Sequence, residues 1–428
     1  MLEPIYVIDG ARTPFLKARV GPGPFAAADL ATAAGAALLA RQPFSPEQFD
    51  EVILGCASPA PEEANIARVA ALRMGCGHGV PAWTVMRNCA SGMQALDSAM
   101  ANIRTGRSGL VLAGGVDALS RAPVLFSEAM VRWLAGWSAA RTLGQRLALV
   151  RRFPLGQLAP VIGLLKGLTD PVAGQLMGQT AENLAWKFAI GRGAMDAAAA
   201  ESHRRAAVAQ EAGHLAREMV PLVAPDGTVY QADDGVRRDS SPEALARLKP
   251  FFDPRYGQIT AGNSSQVSDG AAWLILASRA AVAEHGLTPI GRIVDSQWAG
   301  LAPEEMGLGP VHAATPILRR QGLALADIDA WEINEAFAAQ VLACLAAWRD
   351  DTYCRERLTL HGALGEIDPA RLNVDGGAVA LGHPVGASGA RIVLHLLHVL
   401  ARSGGQRGIA ALCVGGGQGG AMLVEVER

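Results

Sequence analysis

The chain has 428 residues, of which 50% are hydrophobic and 18% charged, and its formal net charge is −2. That length and apolar share call for a large buried core in two or more domains, and so small a net charge provides no global field for nucleic acid. Aromatics at 5% together with 49 glycines favour helices packed on a sheet over an all-β sandwich.

In chain order, residues 5–8 form the first predicted strand. Glu3 and Asp9 stand where a secretory leader would need basic and then apolar residues, so the segment reads as structure and points to a cytoplasmic protein. A helical pattern over 25–39 and short β-rich runs at 51–54, 109–113, 273–277 and 409–414 follow, an alternation that predicts βα units and an α/β fold. No apolar run reaches the ~18 residues of a membrane span. Six cysteines (Cys56, Cys76, Cys89, Cys344, Cys354, Cys413) lie far apart and read as free thiols.

A weak internal repeat aligns Ser91-Gly92-Met93, leading to Gly109–Gly115, with Ser388-Gly389-Ala390, leading to Gly408–Cys413. Each copy reads as small-residue turn, helix, glycine, strand. Met93, Leu96, Met100 and Ile103 share one helical face in the first, and Ile392, Leu396 and Leu400 in the second. Two duplicated halves are the simplest architecture. Between them, 122–257 turns irregular and rich in Arg and Pro and is expected to form a loop domain. Within it, 129–169 carries Arg132, Arg141, Arg146, Arg151, Arg152 and Lys166 with no acidic residue, interleaved with Trp and Leu. Such a basic amphipathic stretch suits peripheral membrane contact, a partner, or a hairpin over the protein's own core.

The strongest chemical signal is Arg87-Asn88-Cys89-Ala90-Ser91-Gly92, which puts a cysteine at a helix N-terminus, where free N–H groups would lower the thiol pKa. His383 lies in Leu381-Gly382-His383-Pro384-Val385-Gly386-Ala387-Ser388-Gly389, a rigid turn before the second repeat helix; if the halves pack about a pseudo-dyad, this turn faces that of Cys89 and the imidazole can accept the thiol proton. Cys413 ends the last apolar strand before Gly415-Gly416-Gly417-Gln418-Gly419-Gly420, whose N–H groups can hold an oxyanion. That string fits a dinucleotide fingerprint, but only eight residues follow it, too few for a crossover helix and strand. In Glu332-Ile333-Asn334-Glu335-Ala336-Phe337, Asn334 can orient a water or cap a helix, and Glu335 can fix a neighbouring loop. Cys76-Gly77-His78 is too sparse for a metal site, so no metal is expected.

Together, the blocks at Cys89, Asn334-Glu335-Ala336-Phe337, His383 and Cys413 resemble the four active-site blocks of the thiolases, over essentially the whole chain. The resemblance implies a thiolase fold: two βαβαβαββ halves in an α-β-α-β-α core, here 1–121 (completed by about 258–285) and 286–428, with an inserted loop domain at 122–257. It implies cleavage of 3-ketoacyl-CoA by coenzyme A through a Cys89 acyl-enzyme, with Cys413 and His383 handling protons, Asn334 holding a water, and backbone N–H groups at Cys89 and Gly415 holding an oxyanion. Coenzyme A is then a substrate and no other cofactor is implied. Met177-Gly178-Gln179 and Ala261-Gly262-Asn263-Ser264-Ser265 also match; the resemblance puts Ser265 on the pantetheine arm and Arg237 near the nucleotide, with Met177, Ala336 and Phe337 along the CoA path.

Leu176 stands where biosynthetic acetoacetyl-CoA thiolases have histidine. With the long 129–169 segment, Asp233-Asp234-Gly235-Val236-Arg237 and Leu248-Lys249-Pro250-Phe251, it is similar to the β-subunits of fatty-acid oxidation complexes, although those often have His at the place of Asn334. Degradative thiolysis in fatty-acid β-oxidation is the implied role, with a short-chain acetoacetyl-CoA thiolase or a non-catalytic scaffold as alternatives. A decarboxylating synthase would need a second histidine where Cys413 stands. A homodimer or higher oligomer, or a complex with a hydratase/dehydrogenase α-subunit, is the expected assembly.

Overall fold

The computed structural model describes residues 4–426. The main strands of the large sheet are β1 (Ile5–Arg12), β2 (Glu51–Gly55), β3 (Ala82–Val85), β4 (Leu110–Ala118), β5 (Ser268–Ala277), β6 (Gly291–Gly300), β7 (Ala330–Ile333), β8 (Arg407–Val414) and β9 (Gln418–Glu425). They hydrogen-bond in the order β7-β8-β9-β6-β1-β5-β4-β2-β3, with the two-residue strand Leu16–Lys17 added beside β5. In the first half β2 runs parallel to β4, β4 antiparallel to β5, and β5 antiparallel to β1. The second half repeats this: β7 parallel to β8, β8 antiparallel to β9, β9 antiparallel to β6. The halves join where β1 pairs antiparallel with β6, Ile5 opposite Ile293. The duplication read from 91–115 and 388–413 is therefore present in the pairing pattern, and β5, far along the chain, lies between β1 and β4 of the first half.

Strand alternation sorts the side chains into layers. Leu110 and Leu112 of β4, with Trp273 and Ile275 of β5, pack with Leu30 and Leu38 of α1 (Ala27–Leu39) and Ile66 of α2 (Ile66–Arg73). Val111, Ala113 and Leu274 point the other way, into a middle layer of Met93, Leu96 and Met100 from α3 (Ser91–Arg104) and Ile392, Leu396 and Leu400 from the long helix Val385–Ser403. Ile409, Ala411 and Cys413 of β8 face a third cluster, with Val311 and Ile317 of Gly309–Gln321 and Ala343 and Trp348 of Ala338–Arg349. The result is five layers, α-β-α-β-α. Gly106 and Gly404, both in the left-handed region, end the two middle helices.

Two compact units divide the chain, Ala122–Thr169 and the remainder. Of the 122–257 stretch expected as a loop domain, only 122–169 is compact by itself. Residues 170–257 belong to the larger unit, because Ala181 and Leu184 of Met177–Lys187 and Met195 and Ala199 of Arg192–Glu211 bury their apolar faces in the third cluster. The smaller unit is a hairpin of α4 (Glu128–Ala139) and α5 (Leu143–Arg151). Its small core stacks Trp133 on Trp137 at 5.4 Å with Phe153 edge-on at 4.8 Å, and Trp133 Nε1 donates to the Leu149 carbonyl. In chain order after α5, the longer helices of the larger unit are α6 (Met177–Lys187), α7 (Arg192–Glu211), α8 (Gly309–Gln321), α9 (Ala338–Arg349) and α10 (Val385–Ser403).

Candidate active site

Cys89 lies on the turn that enters α3. Asn88 takes a left-handed φ of 44°, which a short polar side chain tolerates, and its Nδ2 donates to the Gly415 carbonyl at 2.9 Å. Ser91 closes the turn, donating to Asn88 O and accepting from Arg87 N. The turns of the two halves meet face to face: a Cβ on Gly92 would lie 2.7 Å from the Gly386 carbonyl oxygen, and one on Gly389 would lie 2.6 Å from Met93 N. Only glycine permits that approach.

His383 follows Gly382, whose φ is 100°, and its N–H donates to Gln266 O. Its Nδ1 is 2.6 Å from Ser388 Oγ, and that hydroxyl donates to Pro384 O at 3.0 Å. A hydroxyl has one proton, so Nδ1 must be the donor to Ser388 and Nε2 carries the bare lone pair. Nε2 is buried with no hydrogen-bond partner among the described residues. Burial, with Arg391 adding repulsion, lowers the imidazole pKa to about 4, so at neutral pH His383 is an uncharged base.

Cys413 is fully buried at the end of β8. Burial raises its pKa well above the usual thiol value, with Cys89 and Cys344 adding to the effect. Burial also raises Cys89, and the N–H groups of Gly415 and of Cys89 itself only partly oppose it. The lowered pKa expected from a helix N-terminus is not realised, because loss of solvent outweighs the nearby N–H dipoles. Both sulfurs rest as thiols, and ionising either requires a base.

Asn334 follows β7, its N–H bonded to Ala411 O at 2.9 Å. Both ends of its buried amide lack a partner among the described residues, so they can hold a water or a carbonyl oxygen. It does not cap the helix; Phe337 occupies the position before α9. Glu335 accepts from Ser202 Oγ (2.6 Å), Asn373 Nδ2 (2.9 Å) and Val379 N (3.2 Å), fixing the loop that leads to His383.

Family models then decide the relationship: "Thiolase, N-terminal domain" matches residues 5–280 and "Thiolase, C-terminal domain" matches 287–426. The chain belongs to the thiolase family. It is an acyltransferase. Relatives include the 3-ketoacyl-CoA thiolase of Yersinia enterocolitica, 38% identical over 99% of this chain and 97% of the relative, and the Beta-ketoadipyl-CoA thiolase of Pseudomonas aeruginosa, 42% identical over 99% and 100%. Among solved structures, human mitochondrial 3-ketoacyl-CoA thiolase in complex with CoA superposes with a TM-score of 0.85 at 35% identity, covering 99% of this chain and 98% of that one.

In this thiolase, residues predicted along the CoA path group in part around the two thiols. Met177 begins α6 beside Gly415, where an added Cβ would lie 3.1 Å from its Sδ. Half-buried Ser265 donates its N–H to Ala336 O, and the neighbouring Ser264 and Phe337 form a β-bridge. Arg237 belongs to a different cluster: its N–H donates to His203 Nδ1 at 3.1 Å, and it stands near Lys17, whose pKa is lowered by burial and by repulsion from Arg237 and Arg19. Lys17 was not picked out from sequence, nor was Ser388 as the partner of His383, although Ser388 falls five residues on in the same turn. Asp117, directly after Gly114-Gly115-Val116 in β4, was also missed; a carboxylate beside a glycine pair at a strand end was its only signal.

Proposed function

We propose that the chain is a 3-ketoacyl-CoA thiolase of fatty-acid β-oxidation, cleaving 3-ketoacyl-CoA with coenzyme A into acetyl-CoA and a shortened acyl-CoA. The observation that carries this reading is the bare, buried Nε2 of His383 on a turn packed face to face with the turn of Cys89. His383 takes the Cys89 proton as the sulfur attacks the 3-keto carbon. The bond between C2 and C3 breaks, leaving the acyl group on Cys89 and an acetyl-CoA enolate that Cys413 protonates. Cys413 then takes the proton of incoming CoA, whose sulfur displaces the acyl group and releases the Cys89 thiolate, which takes its proton back from His383. A water on Asn334 and the N–H groups at Cys89 and Gly415 hold the oxyanions. Ser265, Met177, Ala336 and Phe337 line the pantetheine, and Arg237 with Lys17 meets the phosphates.

The Pseudomonas aeruginosa relative favours a second substrate reading, a 3-ketoacyl-CoA ending in a carboxylate. Thiolysis rates with 3-ketohexadecanoyl-CoA, acetoacetyl-CoA and 3-ketoadipyl-CoA separate the chemistries, and retained turnover in Cys89→Ala would sink the mechanism for all three. The assembly we propose is a homodimer, checked by sedimentation. The hairpin supplies a docking face for an anionic membrane: Leu143, Leu147 and Val150 form one exposed stripe on α5, flanked by Arg146 and Arg151. Co-flotation with phosphatidylglycerol vesicles but not with neutral ones is the expected result; binding an α-subunit through the same face instead would redirect it.

A further inference from the structure

The loop after β2 and the His383 turn converge on one buried carboxylate that the mechanism above does not use. Asp117, next to last in β4, is fully buried, and no cation pairs with it among the described residues. Its Oδ1 accepts from Ser58 N at 2.8 Å, Ala57 N at 3.2 Å and the Cys56 thiol at 3.3 Å, and its Oδ2 accepts from Gly386 N at 2.5 Å. Gly386 lies three residues after His383 and two before Ser388. The His383 turn is pressed onto this strand end: a Cβ on Gly386 would lie 2.4 Å from Val116 O, and one on Gly115 would lie 1.9 Å from Gly386 O. A carboxylate offers only acceptors and can satisfy all these donors at once; an amide would turn an N–H against one of them.

We propose that Asp117 is a positioning residue: its carboxylate clamps the His383–Ser388 turn against the half that carries Cys89 and so sets the reach of His383 Nε2 to the Cys89 thiol. The proposal rests on the acid–base reading of Cys89 and His383. Burial raises the Asp117 carboxyl to about 6, opposed by the N–H of Ser58, the N–H of Gly386, the Cys56 thiol and the N–H of Ala57. The other titratable groups facing it are Cys56, from the loop after β2, and Cys89, at the entry to α3. Because the folded pKa lies above the usual 3.8, the carboxyl is half protonated near pH 6, which places a hydrogen among donors and loosens the clamp.

The test follows kcat and the rate of Cys89 alkylation by iodoacetamide, read by mass spectrometry, from pH 5 to 8. In the unaltered chain both fall through an inflection near 6. Asp117→Asn lowers kcat about 100-fold, the scale of a small misplacement of a reacting group, leaves KM for CoA unchanged, and removes that inflection. Cys56→Ala deletes one donor that lowers the Asp117 pKa, so it moves the inflection upward with the fold kept, and it decides the matter by itself if Asp117→Asn fails to fold. Unaltered kcat and alkylation in Asp117→Asn, or an inflection unmoved by Cys56→Ala, overturns the clamp. A chain without thiolase turnover whose alkylation responds as described defeats the functional reading and leaves the clamp standing.

Discussion

Helices α3 and α10 hold equivalent places in the two halves. Each follows a turn bearing a reactive side chain, runs in the middle layer, and leads into an inner strand of its half. Their polar loads differ. On α3, Asp97 is half-buried and accepts from Ser296 Oγ and Trp298 Nε1, and Gln94 meets Arg87. On α10, Arg391 pairs with Glu332 at 3.0 Å, and His395 lies 3.0 Å from Glu218 and 3.3 Å from Asp375, all of them buried. Glu218 also pairs with Arg12 of β1, which reaches Asp233 as well. The histidine turn thus heads a helix fixed by internal ions, while the cysteine turn is fixed by apolar packing and by the Gly415 main chain. A base must keep its orientation through proton transfer. A thiol needs only access.

The comparison can be broken at several strengths. Replacing the base should cost most: His383→Ala is expected to lower kcat by about 10²- to 10⁴-fold in a thiolysis assay, and a smaller loss would mean another group takes the Cys89 proton. Next, Glu332→Ala leaves the Arg391 charge buried and unpaired, which should cost about 3–5 kcal/mol in urea unfolding; wild-type stability would show that charge does not hold α10. Ser388→Ala frees Nδ1 and should lower kcat about tenfold, roughly 1.4 kcal/mol in the barrier, with KM unmoved. Asp97→Ala, the matching test on α3, should cost only about 1 kcal/mol.

Titration sharpens the same contrast. Burial opposes the charged His395, but Glu218 and Asp375 raise its pKa from 6.5 to about 10. With the folded value above the unfolded one, its contribution is complete below about pH 6.5 and is lost as pH rises through about 10. Asp375 is lowered to about 2 by His395 and Arg402 against its burial, so its share is present above 3.8 and lost as pH falls through about 2. The melting temperature should therefore decline between pH 7 and pH 10, and His395→Gln should flatten that decline; an unchanged slope would remove His395 from the account.

Much of the site was legible in the chain. The glycine and proline turns around Cys89, His383 and Cys413 are local features, and their order, with Asn334, carried the family resemblance. Strand alternation at 110–113 and 409–414 and the stripes on 91–104 and 385–403 follow from local periodicity, which fixes the buried face of each element whatever its neighbours. The long-range partners were not legible: the place of β5 between β1 and β4, although the resemblance assigned 258–285 to the first half, α6 and α7 joined to the third cluster, Asp117 against Gly386, and the ion set on α10. The direction of the Cys89 pKa also depended on packing. Sequence by itself determined the turns around Cys89, His383 and Cys413, because turn geometry is set by neighbours along the chain. Tertiary structure alone decided how those residues are charged and held, because desolvation and buried pairing depend on groups that meet only when the two halves close on one another.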